Sequence, residues 1–150
     1  MPGRPTVLFL CPDNGALSLL AEAVALHRHP GLRPFSAAAS APGAVDPALI
    51  ESLGEAGIPA DGLSAKPAGV FVLSGAPRLD VVVALGEATR KALRHQPFLG
   101  LLRFETWRLA EVVRSLPAPA RRSVYARLLP EIGAAIRRLE DRIAMRRAAA

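Results

Sequence analysis

The chain has 150 residues, 51% of them apolar, a formal net charge of +6 and a single cysteine. That length and composition predict one globular domain with enough chain for a sizeable core, and exclude a disordered or fibrous protein. No apolar run approaches the roughly 18 residues of a membrane span, and one cysteine rules out an internal disulfide framework, so a reducing cytoplasm is the expected setting.

Thr6 to Leu10 is a continuous apolar run and reads as a strand buried on both faces. It is too short for a secretory leader, and Cys11 and Asp13 break the apolar pattern immediately after it. The run delivers Cys11 to a turn-like segment, after which Leu17, Leu20, Ala21, Val24 and Ala25 recur at helical spacing up to the break at Pro30-Gly31. His27 and His29, two apart, face different sides of that helix and make a poor metal pair; interaction with the helix C-terminus is the expected role.

Pro34 to Ser40 reads as a second strand of small residues. Asp46 then caps a helix with Pro47 at its first position, Leu49, Ile50, Leu53 and Ala56 as apolar positions, and Gly57 as its end. Residues 62–73 form a connection with room for a short helix after Pro67, and Leu79 to Leu85 is the clearest strand. Glu87 to His95 reads as a helix that stops before Pro97, and Leu101 to Phe104 as a fourth strand.

A basic helical segment at about 119–148 closes the chain. Val124, Leu128, Ile132, Ala135, Ile136, Leu139 and Ile143 form its apolar stripe, Pro130 is expected to kink or divide it, and the final Arg-Arg-Ala-Ala-Ala to fray. From Arg121 to Arg147 there are eight Arg against three acids, so the segment carries +5 of the net +6. The pattern predicts an Arg-rich solvated face. Contact with nucleic acid or another acidic surface is a weaker alternative, since only Tyr125 offers an aromatic for stacking.

Alternating strands and helices predict an α/β fold: a single three-layer domain over residues 1–150, with a four-stranded parallel sheet flanked by helices. Its ligand site is expected beyond the carboxyl ends of the strands, where Cys11 falls. A strand that turns into a helix there gathers backbone N–H groups and the positive end of the helix dipole, an arrangement suited to an oxyanion. No metal or cofactor is called for.

The segment Cys11-Pro12-Asp13-Asn14-Gly15-Ala16-Leu17-Ser18, followed by Ala21-Glu22-Ala23, resembles the signature loop of the low-molecular-weight protein tyrosine phosphatases and the arsenate reductases that share their fold. The resemblance continues in order through Ser40 to Gly43, Val45-Asp46-Pro47, Gly57 to Pro59, Ser64 to Lys66 and Asp80 to Val83. It implies that Cys11 is the nucleophile, that residues 12–18 form the oxyanion loop, that Asn14 holds the loop's backbone and that the Ser18 hydroxyl bonds the thiolate. Gly15 is expected to permit strained dihedrals.

Three positions depart from that pattern. The family's loop arginine, a bidentate oxyanion ligand, is Leu17 here, and losing one preorganised donor typically costs about 2.7–4 kcal/mol of transition-state stabilisation. Pro12 carries no N–H. Asp13 sets a carboxylate in the loop; at roughly 6 Å from a dianion and an effective dielectric of roughly 20, the repulsion is about several kcal/mol. The family's Asp-Pro general acid is also missing, since no aspartate lies between Asp80 and Asp141, and Glu105 is the candidate replacement.

The expected protein is therefore a diverged family member with impaired chemistry, weak binding of phosphate or another oxyanion, and a binding or regulatory role toward a protein partner. The alternative is an active phosphatase or arsenate reductase with relocated groups, such as Arg103 or Arg108 in place of the loop arginine. A thioredoxin-coupled relay through further cysteines is impossible within a chain that has one.

Overall fold

A computed structural model describes residues 3–95, 103–109 and 115–150. Four strands, β1 (Thr6–Cys11), β2 (Arg33–Ala38), β3 (Val81–Leu85) and β4 (Arg103–Trp107), form one sheet in the order β2-β1-β3-β4, every pairing parallel. Every residue of β1 and β3 is buried, as expected for strands covered on both faces. The apolar run predicts strand over 6–10; pairing of Cys11 with Ala38 carries β1 one residue further.

Four helices accompany the sheet: α1 (Leu17–Arg28), α2 (Pro47–Glu55), α3 (Glu87–Ala92) and α4 (Ala118–Ala149). A 3-10 helix at Ala68–Val72 follows Pro67, and another at Leu93–His95 continues α3. Val7, Phe9, Val81, Val83 and Leu85 pack with α1, α2 and α4 on one face, while Leu8, Leu10, Val82 and Ala84 pack with Ala68, Leu93 and Phe104 on the other. The strand order reverses direction between β1 and β3, so the end of β1 is the topological switch point.

Several expectations change. Beyond the predicted stripe, α1 also buries Ser18, Leu19 and Ala23, because it lies between the sheet and α4. On α2, Ile50 is 37% exposed while Ser52 is buried, its hydroxyl bonding the Arg122 carbonyl. The fourth strand begins at Arg103; its expected start at Leu101 and Leu102, like the stop at Pro97, lies outside the described residues.

Pro130 does not divide α4, which runs as one helix of 32 residues. Proline removes the bond to the Ala126 carbonyl, but both residues are exposed, so water can take that carbonyl while Leu128, Leu129 and Ile132 stay buried. The C-terminal residues expected to fray remain helical through Ala149. No described helix is long and apolar enough to cross a membrane.

Candidate functional site

The loop between β1 and α1 is held from outside through its carbonyls. Those of Cys11, Pro12, Asp13 and Gly15 accept the N–H groups of Ala39, Ser40, Gly43 and Asp46 at 2.8–2.9 Å. These carbonyls are thereby turned to the 39–46 segment, and the side chains singled out in the loop are Cys11, Asn14 and Ser18.

The structure brings those three side chains together. Cys11 Sγ lies 2.9 Å from Ser18 Oγ, and Asn14 Nδ2 donates to the same hydroxyl at 2.6 Å. All three residues are buried. Asn14 has φ 55°, the only positive φ of a non-glycine residue among those described. The strained position is thus Asn14 and not Gly15, as expected from sequence; asparagine tolerates this region because its side chain can bond locally. Here the Asn14 Oδ1 also accepts from the Lys66 backbone N–H at 3.0 Å and from Lys66 Nζ at 3.3 Å.

Sequence patterns assign Lys66 no role at the site. Its ammonium reaches the Ser64 carbonyl at 2.7 Å and Ser36 Oγ at 3.5 Å, and Ser36 in turn donates to Glu22 Oε1 at 2.8 Å. Burial pushes the Glu22 carboxyl up from its ordinary range, against the Ser36 bond and the charge of Lys66. Burial likewise pulls the Lys66 ammonium down, against the attraction of Glu22. Two half-buried groups of opposite charge, linked through Ser36, therefore stand behind the loop.

The positions that depart from the family pattern also have clear places. Leu17 is partly buried and packs against the main core, so its side chain serves packing. Pro12 is exposed. The Asp13 carboxylate turns back on the loop, and Gly15 N–H donates to its Oδ1 at 2.9 Å. A Cβ at Gly43 would meet Asp13 Oδ2 at 2.9 Å, so a glycine at 43 is what admits this side chain. One backbone N–H of the loop is thereby already bonded to a carboxylate supplied by the protein.

Asp46 caps α2 as expected, accepting Ala48 N–H at 3.0 Å, but it does more. Its fully buried carboxylate also accepts Arg121 Nε at 3.0 Å, Arg121 Nη2 at 3.2 Å and the Tyr125 hydroxyl at 2.6 Å. Because Asp46 N–H holds the Gly15 carbonyl, this cluster ties α4 to the loop. The i, i+4 spacing of Arg121 and Tyr125 beside the apolar stripe was the sequence signal for it. Tyr125 is 0% exposed and cannot stack on a base.

Part of the basic segment is likewise neutralised: Arg121 pairs with Asp46, Arg122 with Glu51 and Arg142 with Glu105. The solvated remainder is Arg127, Arg137, Arg138, Arg146 and Arg147. His29 acts less through the helix dipole than through its ring, whose Nδ1 lies 2.6 Å from Glu140 Oε1 and joins α1 to α4.

The candidate replacements lie elsewhere. Glu105 sits on β4 opposite Val83, which pairs with Phe9, two residues before Cys11 and two strands away. Its oxygens accept Arg142 at 2.5 and 3.2 Å and Trp107 Nε1 at 3.0 Å, an ion pair facing α4. Arg103 opens β4 opposite Val81 and so lies at the amino end of the sheet, about 13 Å along the strands from the level of Cys11. Arg108 is 86% exposed, with Glu87 at 3.9 Å. Among the described residues no group of three or more His, Cys, Asp or Glu could hold a metal.

A search of curated protein sequences finds no significant match. Solved structures are similar throughout the fold. The low-molecular-weight protein tyrosine phosphatase of T. tengcongensis has 24% identity and TM-score 0.68, with 89% of this chain and 99% of that one covered. Vibrio vulnificus Wzb in complex with benzylphosphonate has 16% identity and TM-score 0.72, with 89% and 97% covered. An arsenate reductase in its phosphate-binding state has 22% identity and TM-score 0.64, with 89% and 98% covered. The family model described as low molecular weight phosphotyrosine protein phosphatase matches residues 6–146. With the parallel sheet and the cysteine loop at its switch point, that match, spanning nearly the whole chain, places it in the low-molecular-weight phosphotyrosine protein phosphatase family.

Proposed function

We propose that this chain keeps the family's cysteine loop as a folded frame while its phosphoryl chemistry is impaired, and that it works by binding, as a regulatory or partner-recognition module. The observation that carries this reading is the Gly15 N–H donated to Asp13 Oδ1 at 2.9 Å. A phosphate entering the nest must displace that carboxylate or sit beside it, and like charges at that range repel by several kcal/mol at an effective dielectric of about 20.

Leu17 supports the same reading. An apolar side chain packed on the core supplies neither the fixed charge nor the two parallel donors of a guanidinium. Relatives of this fold are described holding phosphate and benzylphosphonate, so the frame itself suits an oxyanion. Weak oxyanion binding at residues 11–18 and a protein partner follow as parts of the proposal, and the lone cysteine fits a cytoplasmic setting.

The test is hydrolysis of an aryl phosphate by purified protein beside Cys11→Ser. The expected result is no turnover above buffer in either. Turnover of about 1 s⁻¹, an ordinary enzymatic rate, that vanishes in Cys11→Ser overturns the proposal.

A further inference from the structure

At the amino end of the sheet, opposite the cysteine loop, Arg103 presents an unusual guanidinium. Its Nε and Nη2 are buried and have no hydrogen-bond partner among the described residues. These two nitrogens form one edge of the guanidinium fork, the edge whose parallel N–H bonds match two oxygens of a carboxylate or phosphate. Native structures rarely leave such groups unsatisfied, and a bound ion or water is a common reason when they do.

Beside this edge lies a cavity of about 240 Å³, lined by Arg103, Arg146 and Arg147 together with Asp80, Val81 and Ile143. The two helix arginines come from the exposed end of α4. Asp80 is the one acidic side chain on this lining, and its Oδ2 already accepts Thr6 N–H at 2.8 Å. Glu140, on an adjoining cavity that shares Arg147, is engaged by His29. Three guanidinium groups thus meet one acidic side chain on a lining that also includes Ala150.

The geometry points to a binding site for an oxyanion of the phosphate class, held side-on by Arg103 with Arg146 and Arg147 closing over it. Arg103 Nε and Nη2 are shut off from solvent, so the ligand reaches them by a turn of the outer Arg103 torsions into the adjoining cavity. What drives that turn is the pairing of a charged edge that otherwise has none. Donors from three guanidinium groups favour phosphate, with its several oxygens, over a monocarboxylate with two. This site is independent of the cysteine loop and of how that loop is read.

The test follows the Arg103 Nε–H resonance of ¹⁵N-labelled protein at low ionic strength during titration with inorganic phosphate, with acetate at matched ionic strength as a second arm. The expected result is a saturable shift with phosphate and binding at least about five-fold weaker with acetate. Arg103→Lys keeps the charge and loses the fork; it should weaken phosphate binding about five-fold or more, read on neighbouring backbone amides. If Arg103→Lys does not fold, the Arg146→Gln/Arg147→Gln pair serves, and must also weaken binding. A resonance that phosphate leaves unmoved, acetate binding as tight as phosphate, or variants that bind as the parent does each overturn the assignment.

Discussion

The two ends of the sheet treat charge in opposite ways. At the carboxyl end, an N–H nest suited to an external anion carries a carboxylate of its own, Asp13 on Gly15, and the neighbouring Asp46 and Lys66 are fully engaged. At the amino end, Arg103 is buried at its Nε and Nη2 with no partner for either among the described residues. Paired groups of the first kind hold a loop in shape; an unpaired charge of the second kind costs stability until something binds it. The end that looks like a ligand site in sequence is the better satisfied, and the end that looks ordinary carries the unmet demand.

Removing a partner at the carboxyl end should have the largest effect. Asp46→Ala leaves the Arg121 guanidinium and the buried Tyr125 hydroxyl without their acceptor and frees the Gly15 tether to drift, so urea unfolding should show a loss of about 3–5 kcal/mol. Asn14→Ala comes next. It puts an alanine at φ 55° and strips the partners of Ser18 and Lys66, for a loss of about 2–4 kcal/mol. Asn14→Gly relieves only the backbone part and should recover about 1 kcal/mol of it.

Gly43→Ala tests the placement of Asp13 directly. The new methyl would meet Asp13 Oδ2 at 2.9 Å, so the carboxylate must leave Gly15, at a cost of about 1–3 kcal/mol and with a visible shift of the Gly15 amide resonance. At the amino end the sign changes. Arg103→Leu removes two buried N–H donors that have no partner among the described residues, and should cost nothing or stabilise by about 1 kcal/mol in the same unfolding measurement. Equal losses for Asp46→Ala and Arg103→Leu would erase the contrast between the two ends.

The smallest effect is a pH dependence. Because the folded-state pKa of Glu22 is raised above its ordinary 4.5, its contribution to stability is full below that value and is lost as pH rises through the raised one. Stability of the parent relative to Glu22→Gln should therefore fall as pH rises above 4.5. A difference that stays flat across that window would remove the desolvated pair from behind the loop.

Much of the fold was legible because apolar periodicity and capping act locally. The β1 run, the Asp46-Pro47 helix start and the Val-rich β3 all lie within a residue or two of where sequence patterns put them. The loop triad of Cys11, Asn14 and Ser18 was legible too, through a motif whose members lie within eight residues. What the chain did not disclose locally were contacts made across the fold. Nothing near Lys66 says that it will reach Asn14, and nothing near Asp13 shows its carboxylate lying against Gly43. That Pro130 does not divide α4 has a related reason: its penalty depends on whether Ala126 faces water, which only packing decides.

The central claim, that the cysteine loop is a sound frame closed to phosphate by its own side chains, is tested most directly at the Gly15 amide. Phosphate titration should leave that resonance in place in the parent up to millimolar concentrations. In the Asp13→Gly/Leu17→Arg double variant, which removes the internal carboxylate and restores the fork, the same titration should move it saturably. A saturable, submillimolar shift of Gly15 in the parent would contradict the account.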